Sequence, residues 1–166
     1  GHADFYQPEL NPNGEAASMD LAFATGHGPT LLTDFEGRRP LVRDDDAFVF
    51  GFRDAHEQAQ HSCQPLPEKL RAFDLATVRN LGIERAAHDG VGHLTHDGLD
   101  GFLIHVDADV LNDDIMPAVD YRLPGGLSWD ELERTLRIAI ASGKAVGIEI
   151  TIYNPGLDDD GSAGRG

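Results

Sequence analysis

Three short apolar segments without a polar face are the feature that most constrains the fold of this 166-residue chain. They span residues 47–52, 101–106 and 145–153. A strand that alternates apolar and polar residues has one wet face, whereas the strands of a parallel sheet are covered on both faces and are apolar throughout. We therefore interpret the three segments as buried parallel strands.

Segments with helical spacing separate these strands. They are residues 19–25, 75–82, 83–94 and a segment of about four turns that begins after Ser128. Ser128 and Glu131 form the pattern of a capping box at the start of that last helix, whereas Gly90 and Gly92 weaken the helix over 83–94. Strands that alternate with helices predict an α/β fold with a mostly parallel sheet.

The charge of the chain limits the partners that it can bind. It has 29 acidic and 13 basic side chains, for a formal net charge of −16. Such a surface repels phosphate groups, so we expect neither nucleic acid nor an anionic membrane as a partner, and cations or positively charged small molecules are favoured. No apolar run approaches the roughly 18 residues of a membrane helix. The single cysteine, Cys63, is typical of a cytoplasmic protein.

The two ends of the chain suggest a larger domain. The chain begins at Gly1 rather than at Met, and residues 158–166 are acidic and rich in glycine. Gly1 and His2 could be an expression remnant, but Asp4 continues a plausible motif from them. We expect residues 1–166 to form a single domain that is incomplete at both ends.

Two pairs of polar side chains have the spacing of residues that leave a strand together. Asp107 and Asp109 follow the strand over 101–106, and His2 and Asp4 would lie at a strand end if a strand preceded Gly1. The carboxyl ends of parallel strands meet at one edge of the sheet. Carboxylate and imidazole ligands together suit a divalent ion such as Mn²⁺. The alternative for Asp107 and Asp109 is a helix cap or a solvated turn.

The order of several motifs resembles a known family. The motifs are His2-Ala3-Asp4, residues 102–111 with Asp107-Ala108-Asp109, Met116-Pro117-Ala118, Pro124-Gly125-Gly126-Leu127-Ser128 and residues 147–155 ending in Asn154-Pro155. In this combination the chain resembles the ureohydrolases, the family of arginase, agmatinase and formiminoglutamase. The resemblance runs from the first residue to about Pro155.

The resemblance implies a three-layer α/β/α fold and a binuclear manganese centre. In such a centre a hydroxide bridges two Mn²⁺ ions and attacks the carbon of a guanidinium or amidine group. The family's metal ligands carry over onto His2, Asp4, Asp107 and Asp109, and two further ligands would lie before Gly1. The resemblance also implies a small-molecule substrate and a homo-oligomer, either a trimer or a hexamer.

The chain departs from the family where the substrate is bound. Ala17 stands where arginases have a proton-transferring histidine, and Ile152 stands where they have the acid that grips the guanidinium group. Asp120 and Glu149 are the acids that remain nearby in the sequence, and we predict that they bind substrate. Arginine is therefore not the substrate that we expect.

Two other functions remain open at this point. Ala17 and Ile152 favour a non-catalytic or regulatory member of the same fold. An acidic pair after a strand is also typical of Mg²⁺-dependent phosphoryl-transfer enzymes, although Leu111 departs from their motif. His105 either orients one of the aspartates or is an ordinary core histidine.

Overall fold

The computed structural model describes residues 1–165 and contains four strands in two parallel pairs. Strand β1 (Phe48–Phe52) pairs with β2 (Arg71–Asp74), and β3 (Phe102–Asp107) pairs with β4 (Ala145–Thr151). Both pairs are parallel, and each contains one irregularity in its register. The prediction of an α/β fold with parallel strands is confirmed.

Helices connect the strands within each pair and between the pairs. The six α-helices are α1 (Asp20–Ala24), α2 (Thr30–Thr33), α3 (Ala55–Gln60), α4 (Leu75–Leu81), α5 (Ile83–Leu94) and α6 (Trp129–Ala141). Helix α6 begins with the predicted capping box, because the Ser128 hydroxyl accepts from the Glu131 amide and the Glu131 carboxylate accepts from the Ser128 amide. No helix in this described part of the chain is long and apolar enough to span a bilayer.

Gly90 allows α5 to pack closely on β1. A Cβ atom at this position would overlap the ring of Phe48, whereas one at Gly92 would meet no neighbouring atom. The two glycines that weaken the helix in sequence therefore have different roles. Only Gly90 is required by the packing.

The largest core cluster lies directly beyond the end of β3. Its buried side chains include Leu111, Val119 and Leu127, each at most 2% exposed, and Ile152 packs against them. The residues that follow β3 and β4 are thereby fixed against a solid core. This packing positions the polar groups at the carboxyl end of the strands.

A cleft of about 820 Å³ separates the two strand pairs. Residues of β1 and β3 line it, with apolar side chains of α5 and α6 beside them, and residues 1–4 lie along it. Within residues 1–165, β1 pairs only with β2, and β3 pairs only with β4. The strands β1 and β3 therefore each leave one edge unpaired.

The structure corrects part of the sequence interpretation. The predicted helices and strands are present to within a few residues, but β4 is not buried: Val146, Ile148 and Ile150 are 74%, 50% and 69% exposed. No element of residues 1–165 covers this face. The short elements α2, α3 and β2 were not predicted, because each is too short to show a clear period.

Candidate metal centre

Strand β3 delivers two aspartates to the carboxyl edge of its sheet. Asp107 is its last residue, and a short 3₁₀ turn (Ala108–Val110) then carries Asp109, which is 3% exposed. Leu111, the residue directly after this turn, forms a parallel bridge to Leu127. Gly126 permits this contact, since a Cβ atom there would overlap the backbone of Leu111. The loop after β3 is therefore held in one conformation.

The side chain of Arg53 holds the same loop from the other strand pair. Its guanidinium group donates hydrogen bonds of 2.5–3.4 Å to five backbone carbonyls, those of Asp109, Val110, Leu111, Leu123 and Pro124. Burial lowers the pKa of this arginine, although nearby carboxylates oppose that effect. Arg53 joins the end of β1 to the turn that carries Asp109.

The first residues of the chain are bound between the ends of β1 and β3. The Arg53 amide donates to the Gly1 carbonyl at 2.9 Å, and the Ala3 amide donates to Oδ2 of Asp54 at 3.2 Å. Nδ1 of His2 lies 2.7 Å from Oδ2 of Asp109. Two of the four predicted metal ligands, His2 and Asp109, are thus in direct contact.

Asp4 is a buried carboxylate among other carboxylates. Burial raises its pKa from 3.8 to about 9, and the negative charges of Asp20, Asp107 and Asp109 add to the shift. Its backbone has a φ of 50°, a left-handed conformation that few residues other than glycine adopt. An arrangement that is unfavourable for an anion and strained in its backbone is typical of a site that binds a cation.

The side chains of β3 and β4 form two adjacent pairs on one face. His105 lies opposite Glu149 in the register, and Asp107 lies opposite Thr151. Nδ1 of His105 is 2.7 Å from Oε1 of Glu149, and Nε2 is 3.2 Å from Oδ1 of Asp107. The hydrogen bond to Asp107 raises the pKa of His105 to about 9, although burial opposes it. His105 is therefore a protonated bridge between two carboxylates.

The pKa of Asp107 is shifted downward, opposite to the shift of His105. Burial by itself would raise its pKa, but hydrogen bonds from His105 and from the Thr151 hydroxyl outweigh burial and hold the pKa below 3.8. Asp107 is therefore an anion, ready to bind a cation without first losing a proton.

The donor set and one orphaned atom fit a divalent cation. Oδ1 of Asp109 is buried and has no hydrogen-bond partner among residues 1–165. It lies 3.5 Å from the Gly1 nitrogen, within ion-pair distance of that amino group. Carboxylate oxygens and an imidazole nitrogen are ligands that Mn²⁺ accepts. Within the same residues, however, no three His, Cys, Asp or Glu side chains converge closely enough to hold a metal ion.

The two acids that we predicted on the substrate side lie apart from each other. Glu149, on β4, contacts His105, on β3. Oδ1 of Asp120 instead accepts a hydrogen bond of 2.8 Å from Asn154. The neighbour of Asp120, Tyr121, has its ring 6.3 Å from that of His2 in an edge-on arrangement. The loop that carries Asp120 therefore borders His2.

The position that departs most from the family pattern is strained. Ile152 has a φ of 67°, which is rare for a β-branched residue, and its side chain packs against the core cluster beyond β3. Where an acid would face a cationic substrate, this chain therefore has an apolar side chain directed into the core.

The sequence interpretation did not identify four residues at this site: Asp20, Arg53, Asp54 and Thr151. Arg53 and Asp54 directly follow β1, so the rule that located Asp107 and Asp109 could also have found them. Asp20 begins α1 and Thr151 ends β4, and neither forms a motif with a neighbouring residue.

Comparison with known proteins identifies a match over almost the whole chain. Residues 1–165 match the model of the Arginase family. The arginase of Staphylococcus aureus (strain MRSA252) is 24% identical over 157 residues, which cover 95% of this chain and 51% of that protein. The chain thus spans about half the length of the curated relatives that it matches.

Solved structures share the fold. The 1.7 Å crystal structure of arginase from Bacillus subtilis subsp. subtilis str. 168 superposes with a TM-score of 0.83 at 22% identity, covering 99% of this chain and 56% of that one. The crystal structure of Trypanosoma cruzi formiminoglutamase with Mn²⁺ has a TM-score of 0.66 at 18% identity, covering 98% of this chain and 49% of that one.

Proposed function

The chain belongs to the arginase family, and on that premise we propose that it forms part of a binuclear manganese hydrolase that cleaves non-peptide C–N bonds. The substrate class is a small molecule with a guanidino or amidine group. His2, Asp4, Asp107 and Asp109 are the proposed metal ligands of this chain. We further propose that the protein acts in the cytoplasm and forms a homo-oligomer, a trimer or a hexamer.

The observation that carries this proposal is the orphaned oxygen of Asp109. A buried carboxylate oxygen without a hydrogen bond destabilises a fold by roughly 1–3 kcal/mol. Here the oxygen has only the Gly1 amino group at 3.5 Å, and a bound cation would give it a closer partner. The oxygen lies on a residue that is 3% exposed, in the turn that Arg53 clamps. Asp107 supplies negative charge near it, and Asp4 supplies a further carboxyl group.

The chain's own residues prepare this site. When bound, two Mn²⁺ ions lower the pKa of water enough to make hydroxide available near neutral pH. Asp107 is already ionised, whereas the buried Asp4 holds a proton that cation binding must displace. Binding of Mn²⁺ is therefore expected to release protons and to weaken as the pH falls.

The substrate is proposed to be cationic and different from arginine. Asp120 and Glu149 stay the predicted substrate-binding acids. Asp120 lies in the loop whose Tyr121 borders His2, and Glu149 contacts His105. Ile152 offers no charge to a guanidinium group. A substrate bound by the loop that carries Asp120 would have its cationic group at a different position from one bound by an acid at residue 152.

Metal analysis and a substrate panel test the proposal in the full-length protein. We expect two Mn²⁺ per chain, and release of urea or ammonia from at least one compound in a panel of guanidino and formimino compounds. Asp107→Ala should abolish metal binding with little change in the circular dichroism spectrum. Asp120→Asn is the matched control, because it should keep both metals and raise KM. A protein that binds no metal would refute the proposal.

A non-catalytic member of the fold is the second candidate. The apolar, strained Ile152 and the presence of Ala17 favour it, because both remove groups on which the family's chemistry relies. Two bound Mn²⁺ ions without turnover of any panel compound would support this alternative. Phosphatase activity with Mg²⁺ would instead support a phosphoryl-transfer enzyme, the third candidate.

A further inference from the structure

The two oxygens of Asp107 have different surroundings. Oδ1 accepts hydrogen bonds from the Thr151 hydroxyl at 2.5 Å and from Nε2 of His105 at 3.2 Å. No residue between 1 and 165 makes a hydrogen bond to Oδ2. One oxygen of this carboxylate is therefore held by the protein, and the other is left available.

The donors to Oδ1 are themselves fixed by the sheet. Thr151 is the register partner of Asp107, so its hydroxyl reaches across the ladder, and it also lies 3.4 Å from the Val106 carbonyl. His105 is tied on its other nitrogen to Glu149, its own register partner. The two cross-strand pairs make a rigid unit because both strands are also joined by the backbone ladder.

We propose that Thr151 and His105 are positioning residues that hold Asp107 as a one-oxygen ligand, with Glu149 anchoring His105. This inference rests on the proposed metal centre. Carboxylates that bind metals are commonly held by further hydrogen bonds, and loss of such a partner typically lowers metal affinity by about 10- to 100-fold. The role of Glu149 here uses Oε1 and is compatible with a substrate contact through its other oxygen.

The arrangement explains why His105 and Glu149 stand opposite each other on a pair of strands that is otherwise largely apolar. Each ring nitrogen of His105 faces a carboxylate oxygen, and these two contacts fix the orientation of the ring. The carboxylate is thus oriented before any cation arrives, which reduces the entropy lost on binding.

Thr151→Val tests the proposal in the full-length protein. Valine has nearly the shape of threonine but cannot donate to Asp107. We expect Mn²⁺ affinity, measured by competition with a chelator, to fall by about 10- to 100-fold. The visible spectrum of the Co²⁺-loaded protein should also change, because that spectrum reports the geometry of the ligands. Thr135→Val is the matched control, since its hydroxyl donates only to the Glu131 carbonyl within α6.

A second pair of variants separates positioning from general loss of structure. Glu149→Gln keeps an oxygen that can accept from His105, so Mn²⁺ affinity should stay within about threefold of the wild type. Glu149→Ala should lower it as Thr151→Val does. Glu149 is about half exposed, so both variants are expected to fold.

The outcomes distinguish this inference from the proposed function. A wild-type protein that binds no Mn²⁺ would overturn the proposed function and this inference with it. A wild-type protein that binds two Mn²⁺, together with unchanged affinity in Thr151→Val and Glu149→Ala, would overturn this inference alone. Equal losses in Thr151→Val and Thr135→Val would also overturn it, because they would indicate a general loss of stability.

Discussion

Replacing Asp4 with asparagine should stabilise the metal-free protein while it destroys the metal site. The carboxylate is buried among other carboxylates, and its pKa in the folded chain is about 9 against 3.8 in the unfolded chain. Asparagine is nearly isosteric, carries no charge and tolerates the left-handed backbone at φ 50°. The substitution therefore removes the unfavourable charge without disturbing the backbone.

The stabilisation expected from Asp4→Asn depends on pH, and the raised pKa of Asp4 sets the direction of that dependence. Because the folded-state pKa is raised, the contribution of Asp4 to stability is present at low pH and is lost as the pH rises from about 4 to about 9. At pH 7 the folded chain must take up a proton that the unfolded chain lacks, which costs up to about 4 kcal/mol. At pH 5 the same cost is about 1.5 kcal/mol.

Urea-induced unfolding of the metal-free protein at pH 5, 6 and 7 measures this contribution. We expect the stabilisation by Asp4→Asn to grow over this range and to reach about 4 kcal/mol at pH 7. Asp45→Asn is the control, because Asp45 is exposed beside Lys69 and its loss should change stability by less than about 0.5 kcal/mol. A stabilisation that is absent, or equal at all three pH values, would contradict the reasoning about Asp4.

Adding Mn²⁺ should reverse the order of stability, so that the wild type becomes more stable than Asp4→Asn. An ion at one hundred times its Kd stabilises the folded state by about 2.7 kcal/mol, and only the wild type should gain it. If Asp4→Asn gained as much stability from Mn²⁺ as the wild type, Asp4 would not be a ligand.

Three other substitutions test how the site is supported, each by urea unfolding. Gly92→Ala should stabilise the protein by about 0.5–1 kcal/mol. Gly90→Ala should destabilise it, because the new methyl group meets the ring of Phe48. A change of the same sign in both variants would contradict this packing. Ser128→Ala should lower stability by about 1 kcal/mol, and no loss would mean that the cap is dispensable. Arg53→Met should lower it by more than about 2 kcal/mol, because several partly buried carbonyls lose their donor together. A smaller change would mean that water replaces the guanidinium group.

The fold could be predicted where sequence periodicity and end signals agree. The strand before Asp107 is apolar throughout, and the helix after Ser128 has both a capping box and an amphipathic pattern, so both elements were located to within a few residues. Strand β2 has only four residues, from Arg71 to Asp74, which is too few to show a period. The exposure of β4 was not predictable, because burial depends on which other elements cover a strand.

The position of the candidate ligands in the fold was predictable, but the residues that hold them in place were not. Spacing after a strand identified Asp107 and Asp109, because the carboxyl end of a parallel strand is a known place for function. The contacts of Thr151 and Arg53 depend on the pairing of β4 with β3 and on the packing of the loop after β3. Neighbours that are distant in sequence cannot be inferred from local patterns.

The unpaired edge of β1 has a consequence for how the chain behaves while it folds. Phe48–Phe52 has no charge and no proline, and a strand of this kind with free backbone groups readily recruits another extended chain and aggregates. Charged residues stand on both sides of it, Asp44–Asp46 before and Arg53-Asp54 after. Flanking charges of this kind act as gatekeepers against aggregation. Part of the acidity that makes this chain so negative therefore flanks an apolar strand whose second edge is unpaired within residues 1–165.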